Sequence, residues 1–212
     1  MKSFLNYFRS GVILTLLMLA ICGLAYPAAL TGLGQLIFPY QANGSLITAK
    51  GEKTSDSDEA VGSAIVGQDF SRDARYFRGR VSSINYNTYD DEEEALANVS
   101  SGNTNYGATN EDLKARVEED VDEFIKTHPG VEEGDIPADL LTASGSGMDP
   151  DITPQSAKIQ IPAISEATGL SEEELQTIVD DNTEEKFLGI FGHERVNVLK
   201  CNLEIAAAIG EI

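Results

Sequence analysis

The 212-residue sequence has no tryptophan, two cysteines and two histidines. Cys22 lies in an apolar run and Cys201 lies near the other end, so they support neither a disulfide framework nor a thiolate zinc site. His128 and His193 are far apart, with no cysteine beside either. Basic residues are also scarce: 15 Lys and Arg face 35 Asp and Glu, a net charge of −20 that excludes a surface built to hold a nucleic-acid backbone. Acids are absent in turn from the first 51 residues, so all 35 acids and 12 of the 15 bases fall in residues 52–212, which carry −23.

Catalytic patterns are missing as well. A phosphate-cradling loop needs glycines followed by Lys-Ser or Lys-Thr at a helix start, whereas Gly145-Ser146-Gly147 runs into Met148-Asp149 and reads as a tight exposed turn. Ser144 and Ser146 lack the surroundings of a nucleophile elbow. Asp149 and Asp151 offer oxygens to a hard cation but equally suit a turn and a helix N-terminus, and calcium would need ~6 ligands. No catalytic residue, metal ligand or cofactor is therefore assigned to this chain.

What is present begins with a long apolar segment. No charge occurs from Ser10 to Ala49, and counting from Leu5 gives a run of about 22 residues before Pro27, enough at ~1.5 Å per residue to cross a hydrocarbon layer of ~30 Å. Lys2 and Arg9 flank its amino end, which by the positive-inside bias leaves the N-terminus in the cytoplasm and turns the acidic part outward. A cleaved signal shares the basic start, but the run is long for a signal core and apolar character resumes beyond Pro27. A lipoprotein signal fails on Ile21, bulky where a small residue should precede Cys22. The expected division is a cytoplasmic N-terminus over residues 1–10, a transmembrane helix and membrane exit over 11–38, and an extracytoplasmic domain over 39–212. Ala20, Gly23 and Pro27 make a small-residue stripe that either packs on a neighbouring helix or faces lipid.

The outward part reads as α+β. Residues 50–59 are polar, a solvated connector or hairpin tip; alternation at 64–70 and around Tyr76-Phe77 predicts short strands. Residues 86–110, with the acid run Asp90 to Glu94, read as a long loop. Helical spacing of Leu113, Val117, Val121, Phe124 and Ile125 predicts a helix over Glu111–Thr127, capped by Asn110 and stopped by Pro129-Gly130. A second helix starts at Thr153 ahead of Pro154, should kink at Pro162 and ends at Gly169. Ser171 to Glu174 is a capping box opening a third, and residues 195–198 alternate like a strand before a last helix.

Several blocks of this sequence, in order, closely resemble the C subunit family of the Kdp potassium-transporting ATPase. At the membrane exit stand Phe38-Pro39-Tyr40-Gln41-Ala42-Asn43-Gly44-Ser45-Leu46-Ile47. Gly62 to Phe70, including Gln68, follows with Tyr76-Phe77 and Arg78-Gly79-Arg80. Ser101-Gly102-Asn103-Thr104-Asn105-Tyr106-Gly107 comes next, then Thr142-Ala143-Ser144-Gly145-Ser146-Gly147-Met148-Asp149-Pro150-Asp151-Ile152-Thr153-Pro154, and the ending Val196-Asn197-Val198-Leu199 with Asn202-Leu203. Val81, Asn103, Ala163 and Lys200 depart from the family pattern.

The resemblance implies a single-span accessory chain of a bacterial membrane potassium pump. It would work beside a channel-like A subunit, an ATP-hydrolysing B subunit and a small F peptide, with ATP and potassium handled by the complex. Gln41, Asn43, Gly44, Ser45, Gln68, Ser144, Ser146 and Asp149 are then the candidates for partner contact. Assembly of the complex and potassium entry on the outer side is the first expected role. A chaperone raising the ATP affinity of the hydrolytic subunit is the alternative. The acidic domain either concentrates cations or is simply a solvated surface.

Overall fold

The structure is a computed structural model that describes residues 2–82 and 101–212. The acid run Asp90 to Glu94 lies outside the described residues. The chain opens on one unbroken helical rod: α1 (Lys2–Met18), a π-helical stretch (Leu19–Ala25) and α2 (Tyr26–Ile37). Its apolar portion, Phe4–Ile37, is 34 residues long, about 51 Å at 1.5 Å per residue, so the rod exceeds the hydrocarbon layer and continues past Pro27. Proline lacks an N–H, and its ring crowds the carbonyl four residues back. The chain accommodates it by widening the preceding turns, where the Tyr26 N–H reaches back five residues to the Ile21 carbonyl. Ala20 and Gly23 fall within this wide stretch, so the α-helical spacing that aligned them with Pro27 does not hold. Phe38 leaves the helix because Pro39 follows it, and a single turn, α3 (Pro39–Ala42), leads out.

The domain that follows the rod starts with β1 (Leu46–Thr48) antiparallel to β2 (Ala60–Ser63), with residues 49–59 as the hairpin tip. The strand lies earlier than the alternation at 64–70 predicts. Residues 64–82 are irregular, and Tyr76-Phe77 forms no strand although Phe77 is fully buried. Beyond residue 101 come α4 (Glu111–Thr127), α5 (Ala138–Leu141), β3 (Asp151–Ile152), α6 (Pro154–Lys158), α7 (Ile161–Thr168), α8 (Glu172–Asp181), β4 (Thr183–Glu184), β5 (Arg195–Asn197) and α9 (Val198–Ala208). β5 is the middle strand of a three-stranded antiparallel sheet between β3 and β4. The domain is α+β, as expected.

Caps place the helices. Asn110 Oδ1 accepts from Leu113 N at 3.0 Å, with Glu111 and Asp112 in the positive first turn. Thr153 Oγ1 accepts from Ser156 N at 3.1 Å, and Asp139 binds both residues from α5, accepting from Thr153 N at 2.8 Å and Ser156 Oγ at 2.6 Å. Ser171 and Glu174 form the reciprocal box. At Pro162 the outcome is a break rather than a kink: α6 and α7 are separate helices, and Pro162 sits in the first turn of α7, where its missing N–H leaves no ladder bond unmade. Gly169, at φ +78°, then ends α7. The apolar faces meet in one core of Phe77, Val121, Phe124, Leu140, Ile152, Ile161, Ile164, Leu175, Val179, Val196, Cys201 and Ile205.

Candidate functional site

The residues singled out from the sequence fall into two neighbouring groups joined by residues 62–68. At the membrane exit, Asn43 and Gln35 exchange amide hydrogen bonds at 3.0 and 3.2 Å, and Asn43 Nδ2 also donates to the Pro39 carbonyl at 2.8 Å, stapling the end of the rod to the turn that leaves it. Gly44 and Ser45 both have positive φ, +91° and +54°. Ser45 is held there because its N–H donates to the Tyr40 carbonyl (3.0 Å) while its own carbonyl accepts from Tyr40 Oη (3.0 Å) and Ala64 N (3.0 Å). Ser63 Oγ donates to the Gly44 carbonyl at 2.6 Å. Burial pushes the Tyr40 phenol up, in keeping with its role as a neutral donor. Gln41 is exposed on α3. This string is therefore the joint between rod and domain.

The second group is a knot of loops. Ser144 Oγ accepts from Gly147 N at 2.9 Å, Ser146 Oγ accepts from Met148 N at 3.1 Å, and the two hydroxyls lie 3.2 Å apart. Gly147 takes φ +70°, and its carbonyl accepts from Ser82 Oγ at 2.6 Å. The carbonyls of this turn also capture the 101–103 segment, through Gly102 N to Ser146 O at 2.8 Å and Asn103 Nδ2 to Ser144 O at 3.1 Å. Asn103 thus adds a side-chain bond to the backbone one. Asp149 accepts from Arg80 Nη1 at 2.9 Å and from Asp151 N at 3.1 Å, and Arg80 donates to the Thr142 carbonyl at 3.1 Å. Asp149 thus forms a turn, whereas Asp151 lies in β3, with its carboxylate on Asn197 and Arg195. Gln68 packs its amide on Gly62, where an added Cβ would lie 2.0 Å from Nε2. Gly67 touches the knot so closely that its Cβ would meet the Asp149 carbonyl oxygen at 2.6 Å.

Three buried amides escaped the sequence reading and organise this region. Asn202 Oδ1 accepts from Phe77 N at 2.8 Å while Nδ2 donates to Phe77 O at 2.9 Å. Gln160 repeats the device one residue on, accepting from Arg78 N at 2.9 Å and donating to Arg78 O at 3.2 Å and Ser156 O at 2.9 Å. These side chains replace a strand neighbour, which is why Phe77 can be buried without a ladder. Asn197, the cap of α9, accepts from Lys200 N at 3.1 Å and donates to Ala64 O at 2.8 Å and Asp151 Oδ1 at 3.2 Å. The legible signal was a lone amide among apolar neighbours, such as Gln160 between Ala157, Ile161 and Ile164.

Burial and neighbouring charges shift several titratable groups of the domain. Burial pushes the Asp151 carboxyl up, against the Asn197 amide and Arg195. Burial holds His128 below its usual range; it stacks on Phe124 at 3.9 Å between centroids, with Arg78 5.5 Å over the same ring. The Cys201 thiol is raised by burial and kept protonated. At the C-terminus, Glu211 pairs with Arg75 and accepts from Tyr76 Oη, and burial, then Glu211, push the Tyr76 phenol up to about 12. A cleft beside the knot is lined by Val81, Asn103, Tyr106, Arg116 and Thr142. Arg116 is engaged by Asp120 and by the Leu141 carbonyl.

This arrangement of exit joint, serine-glycine knot and anchored rod has relatives over its whole length. Residues 8–207 match the family described as KdpC, the c chain of the K+-transporting ATPase. A potassium-transporting ATPase KdpC subunit of Clostridioides difficile is 51% identical, with 96% of this chain and 98% of that protein covered. One from Clostridium kluyveri is 50% identical over 99% and 98%, and one from Caldanaerobacter subterraneus is 42% identical over 92% of each. The chain belongs to the KdpC family of potassium-transporting ATPase subunits.

Proposed function

We propose that this chain is the anchored accessory subunit that assembles and steadies a bacterial potassium-uptake pump from the outer side of the membrane. The observation that carries the reading is the charge asymmetry along one rod: Lys2 and Arg9 at its start, no acid before residue 52, and −23 beyond it. The N-terminus lies in the cytoplasm and the α+β domain faces outward. The rod packs among the spans of a channel-like A subunit and a small F peptide, while an ATP-hydrolysing B subunit drives the pump. Over the potassium entrance the acidic domain raises the local cation concentration within a screening length of ~8 Å, which does not discriminate potassium from sodium. Gln41, Asn43, Gly44, Ser45, Gln68, Ser144, Ser146 and Asp149 act by setting the domain's shape and its placement on the rod.

External protease added to sealed right-side-out vesicles tests this. Cleavage within residues 52–212 is the expected result. Full protection would put the domain in the cytoplasm and turn the reading toward the alternative, a chaperone that raises the nucleotide affinity of the hydrolytic subunit.

A further inference from the structure

The loop between β4 and β5 has no part in the architecture described above. It climbs to a tip at Phe187-Leu188-Gly189-Ile190-Phe191, whose four large side chains are 71, 74, 75 and 63% exposed. Outside the rod and its exit, the other exposed large apolar side chains among the described residues are Val61, Ile65, Tyr106 and Ile212, none of which forms such a run. The tip is built with care. Phe187 and Phe191 exchange backbone hydrogen bonds at 2.8 and 3.0 Å, and Ile190 N closes a turn on Phe187 O at 3.2 Å. At the base Arg195 pairs with both Glu184 and Asp151. The two central turn residues have positive φ, Gly189 at +70° and Leu188 at +54°. A hairpin turn of that hand favours asparagine, aspartate or glycine; a leucine there is strained and, at this exposure, has no packing to compensate for it.

An exposed apolar cluster on a strained, fixed backbone marks a binding surface. We infer that the 187–191 tip is a docking knuckle that seats in an apolar pocket on the outward face of another subunit of the pump, an inference that rests on the outward-subunit reading above. Three features select a protein over lipid. A fluid bilayer rewards apolar area but no particular backbone shape, so strain that fixes a shape serves a shaped partner. The tip also has neither Trp nor Tyr, and it stands on a domain carrying −23, which an anionic lipid surface would repel. Residues 186–193 contain no acid, and Lys186 is their one formal charge, so the partner's rim supplies a carboxylate or carbonyl oxygens.

The test is a photoreactive benzoyl-phenylalanine placed at position 190 of the full chain, co-expressed with the other pump subunits and irradiated in native membranes. The expected product is an adduct with another pump subunit, falling at least tenfold when Phe187→Ser and Phe191→Ser are combined. Adducts confined to lipid or to a second copy of this chain would overturn the inference. So would the absence of any adduct while the chain still co-purifies with the pump. Failure of the unaltered chain to co-purify at all would instead remove the subunit reading, and the inference with it.

Discussion

The 142–149 turn and the 186–192 tip are both short, glycine-bearing loops with left-handed residues, Gly147 at φ +70° in one and Leu188 at +54° in the other. In the first, hydroxyls, carbonyls and the Asp149 carboxylate are bonded inward, to Gly147, Met148, Ser82, Gly102, Asn103 and Arg80. In the second, a leucine occupies a conformation suited to glycine, and its side chain meets water. A left-handed glycine in a loop bonded inward is architecture; a left-handed leucine with no packing to compensate it points to something outside the molecule. The contrast is the ground for proposing the apolar tip, rather than the serine-glycine turn, as the contact surface.

The largest expected effects are on the inward side. Asn202→Leu strips both backbone groups of buried Phe77 of their partner, and Gln160→Leu does the same to Arg78. Each should lower stability by about 2–4 kcal/mol in urea unfolding of the detergent-solubilised chain, and a loss under about 0.5 kcal/mol would mean that water replaces the clamp. Next comes a pair of glycines. Gly67→Ala drives a Cβ against the Asp149 carbonyl, 2.6 Å away, whereas at Gly102 an added Cβ meets nothing within 4 Å. The first should destabilise by about 1–3 kcal/mol and the second by less than about 0.5 kcal/mol; equal melting shifts would contradict the tight seating of residue 67 on the knot.

On the tip the sign reverses. Leu188→Asn installs the Asn-Gly pair that a turn of this hand prefers, so the chain should gain about 1 kcal/mol while the photo-adduct yield at position 190 drops. A variant that loses stability would show that Leu188 packs on its own domain after all. The smallest effect is a slope with pH. Because burial depresses the pKa of His128 in the folded chain, its contribution is complete above the unfolded value of about 6.5 and is lost as pH falls through the folded value. His128→Phe should flatten the stability curve below about pH 6.5, and an unchanged slope would assign acid sensitivity elsewhere.

Much of this was legible in the sequence because local chemistry decided it. Asn110, Thr153, Ser171 and Gly169 fixed helix ends with side chains or φ freedom available within three residues. The rod was visible from its lack of charge, though not its length: the π-helical accommodation of Pro27 depends on a neighbouring turn that no propensity reports. The alternation at Tyr76-Phe77 does not become a strand because Asn202, which binds Phe77, and Gln160, which binds Arg78, stand 125 and 82 residues from those groups, beyond any local pattern. Among the partner-contact candidates, the side chains of Asn43, Ser144, Ser146 and Asp149 bond within the chain, while Gln41 is exposed. The tip carried a weaker sign, an apolar run interrupted by Gly189 and closed by Gly192 in an otherwise acidic stretch, and only its exposure and backbone angles gave that run a meaning.

Amide hydrogen exchange, compared between the isolated chain and the assembled pump, tests the central claim most directly. The account predicts that assembly slows exchange at residues 187–191 and leaves 144–149, already bonded within the domain, unchanged. New protection over 144–149 with the tip exchanging as freely as before would contradict it.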